Sequence, residues 1–145
     1  MSKNISTITA TRTSNWTYTV DNGRGASLSI GLEGAEGAFS PIELLQAALA
    51  GCAALSAEAQ LVDKLGDDAT VTSRVDATHD AASNLIDSLS NIISADMSSL
   101  ENRRQEKLIA AAERSIGALC TVKKSLIQGV PATSTVERYP SRECR

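Results

Sequence analysis

Between Ala38 and Leu65 the chain reads AFSPIELLQAALAGCAALSAEAQLVDKL, and no other stretch restricts the fold so strongly. Ser40 is suited to cap a helix, Pro41 suits the first helical position, and Glu43 stands three residues after Ser40 to complete a capping box. From Leu44 to Leu55 the only polar side chain is Gln46, so the helix is expected to have apolar neighbours on nearly every side. Polar residues return from Ser56 onward, and Gly66 supplies a stop. Cys52 lies within the apolar run behind Gly51, whose missing side chain is expected to admit another backbone. A thiol inside a central helix is the feature the rest of the sequence has to explain.

The chain has 145 residues, 42% hydrophobic and 21% charged, which fits one globular domain. Aromatic residues make up only 3%, so the core is expected to be Ala, Leu, Ile and Val, and burial in a homodimer would help such a chain. Net charge is −3 and the basic residues cluster no further than Arg103-Arg104 and Lys123-Lys124, which argues against nucleic acid as a partner. The N-terminus lacks an apolar signal region, and the run Leu44–Leu55 is too short to span a bilayer, so no membrane partner is expected. Three cysteines without framework spacing point to the cytoplasm rather than to a disulfide-built secreted protein.

The N-terminal 38 residues read as an antiparallel meander. Ile5–Arg12 and Trp16–Val20 alternate with period two, Asp21-Asn22-Gly23 is a hairpin turn signal, and Ala26–Ile30 is a third strand. Beyond Gly66, the segment Ala69–His79 suggests a strand. Leu85, Leu89, Ile92 and Ile93 within Asn84–Met97 fit either a strand or a helix. Ser98 and Glu101 suggest a second capping box opening a helix to about Ile116, interrupted at Gly117. A short amphipathic segment Thr121–Gln128, an edge strand at Pro131–Glu137 and a loose tail from Arg138, containing Cys144, complete the chain. The expected organisation is a single domain over 1–145: meander 1–38, central helix 39–65, second α+β part 66–137 and tail 138–145.

The catalytic possibilities are few. With one histidine, His79, and widely separated cysteines, no metal site is expected, and no cofactor signature is present. His79 reads as a strand-end surface residue, and Arg103-Arg104 as a solvated helix face. Cys52 and Cys120 remain, and the residues alone leave two readings open: small buried hydrophobes, or a redox pair. Cys120 precedes a short helix whose free N–H groups, with Lys123 and Lys124, would favour a thiolate there. Burial among Leu and Ala would raise the Cys52 pKa unless a cation arrives from elsewhere in the fold.

The run Ser40-Pro41-x-Glu43-Leu44-Leu45 followed by Ala-Leu-Ala-Gly-Cys52 resembles the central helix of the OsmC/Ohr family. Cys120-Thr121-Val122, then Gly129-Val130-Pro131, resembles that family's second cysteine segment, and Asn22-Gly23-Arg24-Gly25 resembles its glycine–arginine turn. The resemblance covers residues 5 to 137. It implies an α+β fold with antiparallel sheets packed around a long central helix, and an intertwined homodimer with two active sites at the interface. It also implies a thiol peroxidase of oxidative-stress defence, in which Cys52 attacks a hydroperoxide, Cys120 closes a disulfide, and an external dithiol restores both. Glu43 and Arg24 are the supporting candidates, because the family's usual acid position is Ile42 here and its usual arginine position is Asp21. The alternatives are a dimer that uses an apolar interface pocket made by Ile42 to bind a small ligand, and a protein in which Cys52 is only core filler.

Overall fold

A computed structural model describes residues 1–139; residues 140–145 of the expected tail, Cys144 among them, lie outside the described residues. Three strands, β1 (Thr9–Ser14), β2 (Thr17–Asp21) and β3 (Ser27–Ile30), form an antiparallel sheet in chain order, in register at Thr11 with Thr19 and Val20 with Leu28. Asp21 and Asn22 build the β2–β3 turn: the Asp21 carboxylate accepts from Gly23 N, and the Asn22 side chain accepts from Arg24 N at 2.8 Å and Ala26 N at 3.1 Å. The meander packs chiefly on itself. It meets the remainder through a parallel bridge between Ile30 and Phe39, where a β-carbon at Gly31 would stand 3.0 Å from that of Ala35 and 3.2 Å from that of Ala38, a tight fit.

Helix α1 (Pro41–Leu65) opens on the expected capping box. Glu43 N donates to Ser40 Oγ at 3.2 Å and Ser40 N donates to Glu43 Oε2 at 3.0 Å, which satisfies two otherwise orphaned amides. The helix stops at Gly66, at φ 89°, whose N–H donates to the Val62 carbonyl. By length and composition α1 could span a bilayer, yet one side lies on the hairpin of β4 (Val71–Asp80) and β5 (Leu85–Ala95), and on α2 (Asn102–Leu119) and α3 (Thr121–Gln128). Leu49, Ala53, Ala57 and Leu61 form the buried stripe, each one turn from the last, so that side chains of one face meet the neighbouring elements. Ala57 and Leu61 pack with Leu108 and Ala112 of α2, while Leu49 and Ala53 pack with Cys120. Two polar ties fix helix to hairpin: Gln46 Nε2 donates to the Val75 carbonyl at 2.9 Å, and Ser73 Oγ donates to the Ala50 carbonyl at 2.9 Å.

The ambiguous segment 84–97 is a strand, and its mixed period has a structural cause. Thr78 pairs with Ser88 but His79 pairs with Ile86, so Asp87 is an extra residue in β5. A bulge of this kind reverses which side chains face the core. Half-buried positions therefore run Leu89, Asn91, Ile93, Ala95 on one side of it and Ile86 on the other.

Four local expectations are corrected. The second capping box does not form: Ser98 N donates to Asp96 Oδ1 in a turn, and α2 begins at Asn102 with Glu101 at the cap. Gln105 takes over the tethering by donating to the carbonyls of Met97 and Leu100. Gly117 does not interrupt α2, which continues to Leu119. No backbone approaches Gly51; a β-carbon there would meet nothing within 4 Å. Residues 131–137 form no strand within the chain and are exposed, since neither edge of the meander sheet pairs with them.

Candidate active site

The end of α2, the start of α3 and the middle of α1 converge on two sulfurs. Cys120 ends one helix and opens the next: its N–H donates to the Ile116 carbonyl at 3.0 Å, and its own carbonyl accepts from Lys124 N at 3.0 Å. That double role fixes its backbone and turns its side chain against Leu49 and Ala53, where it is 0% exposed. Cys52 is half-buried on α1 beside the same cluster. Both are free thiols on the same apolar cluster, and each shifts the titration of the other.

The two sulfurs are tuned in opposite directions. Cys52 is lowered from the ordinary thiol value of 9.0, above all by the Val122 amide; burial opposes this, and Cys120, the Thr121 amide and the Ser56 hydroxyl reinforce it. Cys120 is raised, chiefly by burial, and further by a neighbouring Cys52 that would already be charged; the Lys123 amide and ammonium work against the rise. The arrangement corrects the expectation from sequence. The leading amides of α3 serve Cys52 across the fold, and the cysteine at their own cap stays protonated. Amide donors at a helix start stabilise a thiolate without any cation, and sequence reading missed them because no local pattern shows where α3 points.

The supporting candidates stand elsewhere. Glu43 is engaged in the α1 cap, nine residues and so about 13 Å of helix axis from Cys52. Arg24 sits exposed in the β2–β3 turn, and Arg12 donates to Asn15 Oδ1 at 2.7 Å. Neither arginine nor Glu43 is among the groups acting on the Cys52 sulfur within the chain. Ile42, at the expected acid position, lines a cleft of about 670 Å³ with Gln46, His79 and Ile86. His79 is exposed at the end of β4, with Nε2 3.1 Å from Asn84 Oδ1, and Arg103 and Arg104 are exposed on α2, as their sequence context indicated. Among the described residues no group of His, Cys, Asp and Glu could hold a metal ion.

Residues 34–135 match the profile of the family described as OsmC-like protein. The chain belongs to the OsmC-like family. Relatives from Mycobacterium tuberculosis and Mycobacterium bovis, each named only as an uncharacterized protein, are 30% identical over 118 residues, covering 81% of this chain and 86% of theirs. Among solved structures, an OsmC-like protein from Mycoplasma pneumoniae superposes with a TM-score of 0.60 at 17% identity, over 90% of this chain and 91% of that one. The organic hydroperoxide resistance protein OhrB of Bacillus subtilis superposes at 0.51 with 16% identity, over 82% and 90%. This OsmC-like chain thus shares the family's α+β fold, with two antiparallel sheets and three helices among the described residues.

The opposed tuning makes a direct forecast about this OsmC-like site. Because the Cys52 pKa is lowered and that of Cys120 raised, and because only thiolate reacts with alkylating agents, Cys52 titrates at lower pH. Iodoacetamide followed by peptide mapping across a pH series is expected to give Cys52 a midpoint below 9.0, with Cys120 labelled only at higher pH. Equal rates for the two cysteines across the series would contradict the geometry.

Proposed function

We propose that this chain is a thiol peroxidase that reduces organic hydroperoxides or hydrogen peroxide in the cytosol, with Cys52 as the attacking and Cys120 as the resolving residue. The observation that carries the reading is the packing of Cys52 against the cluster that buries Cys120, at the start of α3, with one thiol lowered and the other raised. The Cys52 thiolate attacks the distal oxygen of the hydroperoxide; the O–O bond breaks, the departing alkoxide or hydroxide takes a proton, and Cys52 becomes a sulfenic acid. The Cys120 sulfur then attacks the Cys52 sulfur, an S–S bond forms and water leaves with the Cys120 proton. An external dithiol reduces the disulfide by exchange, supplying the two electrons that the hydroperoxide consumed. The resistance function named for the OhrB neighbour is consistent with this chemistry.

The working unit is a homodimer. Among the described residues only seven apolar side chains are buried, while Leu55 on α1 is 77% exposed and Trp16 on the meander is 75% exposed. Gly51 leaves an open face beside Cys52, and an apolar surface of this kind marks an interface. Sedimentation at twice the 15.2 kDa of one chain is the expected result.

A second reading has one observation in its favour. Ile42 makes the cleft beside the α1 cap more apolar than an acid there would, with Leu32 and Ile86 beside it and Glu33 and Glu43 also in its lining, which suits a small, largely apolar ligand with a polar end bound without chemistry. Thiol counting separates the two: adding an organic hydroperoxide to the reduced protein is expected to remove two titratable thiols per chain. Unchanged thiols together with ligand-raised melting would instead favour the binding protein.

A further inference from the structure

Ser56 is the only hydroxyl residue in α1, set in a run otherwise built from Ala and Leu, and neither helix formation nor core packing explains it. A serine inside a helix that bonds back to the preceding turn tends to weaken the helix, and Ala would serve helix propensity better. Its placement is informative. Ser56 lies one turn beyond Cys52 on the same face, half-buried, with Oγ donating to the Cys52 carbonyl at 2.7 Å. The same hydroxyl is among the groups that lower the Cys52 thiol pKa.

We propose that Ser56 is a positioning residue for Cys52: its hydroxyl, keeping its proton, turns its one hydrogen bond from the Cys52 carbonyl to the Cys52 sulfur when that sulfur is charged, and holds the thiolate facing the start of α3. A hydroxyl carries one donor, so it bonds one partner or the other. While Cys52 is protonated, the carbonyl is the better acceptor. Once the thiol proton is gone, the charged sulfur wins, because charge-assisted hydrogen bonds are about twice as strong as neutral ones. The carbonyl gives up little, since the helical ladder still reaches it from the amide four residues on. Rotation about one side-chain bond thus adds a donor only in the reactive state, alongside the fixed amides of Thr121 and Val122. The inference takes its purpose from the peroxidase reading, but its test needs no peroxide.

The test is the rate of iodoacetamide labelling at Cys52 across pH, read by peptide mapping in the full chain for wild type, Ser56→Ala and Ser56→Thr. Ser56→Ala is expected to slow labelling at pH 7 by about 3–10-fold while leaving the high-pH plateau within about twofold. Ser56→Thr, whose hydroxyl bonds to the preceding turn in the same way, is expected to track wild type. A Ser56→Ala profile that superimposes on wild type, or one slowed equally at both ends, overturns the assignment. Circular dichroism establishes that each variant is folded. If Ser56→Ala behaves as stated but no hydroperoxide is consumed, the positioning role stands and the peroxidase reading falls.

Discussion

Cys52→Ser is expected to abolish hydroperoxide consumption, a loss of at least about a thousandfold, the scale seen when an enzyme loses its nucleophile. A serine hydroxyl fits the same space but stays protonated at neutral pH, even with the Val122 and Thr121 amides turned toward it. Cys120→Ser should behave differently. It leaves the attacking sulfur and its amide donors in place, so one equivalent of hydroperoxide is still reduced, but the sulfenic acid has lost its neighbouring thiol and turnover slows to the rate at which the external dithiol attacks it directly. Coupled consumption of an external dithiol, measured for the two variants beside wild type, distinguishes a lost first step from a lost second one. Substantial steady-state activity in Cys52→Ser would exclude the proposed chemistry.

The second large effect concerns stability. Leu61 is 2% exposed, between Ala57 on its own helix and Leu108 and Ala112 on α2. Ile93, Met97 and Ile116 pack against the same cluster, so truncation removes a buried side chain from a contact shared by several elements. Leu61→Ala is therefore expected to cost about 2–5 kcal/mol, the range for truncating a buried leucine. Urea unfolding at fixed protein concentration should show a lower midpoint with an unchanged slope. A loss under 1 kcal/mol would mean that the α1–α2 contact is looser than the packing indicates.

Features written in short-range chemistry were legible from the sequence. The Ser40–Glu43 box, the Gly66 stop and the Asp21-Asn22-Gly23 turn each depend on residues within four positions of one another, and all three form. Features settled by competition or by distance were not. Ser98 had two possible partners, and the turn at Asp96 took it before the helix could. The Asp87 bulge broke the period that would have marked β5 as a strand. At the candidate site both cysteines were identifiable by type and motif, but the source of Cys52 activation was sought in side-chain cations. It lies instead in the backbone amides of Thr121 and Val122, which every residue but proline carries and which no sequence pattern can aim. Residues 131–137 retain a strand-like alternation without a strand to join in their own chain, which is consistent with a partner in the proposed homodimer.

Treating the reduced protein with one equivalent of organic hydroperoxide, quenching and mapping its peptides under non-reducing conditions addresses the two sulfurs directly. The account predicts a single new species in which the Cys52 peptide is joined to the Cys120 peptide, with Cys144 still free. Recovery of both as thiols, or of Cys52 joined to Cys144 instead, would contradict it.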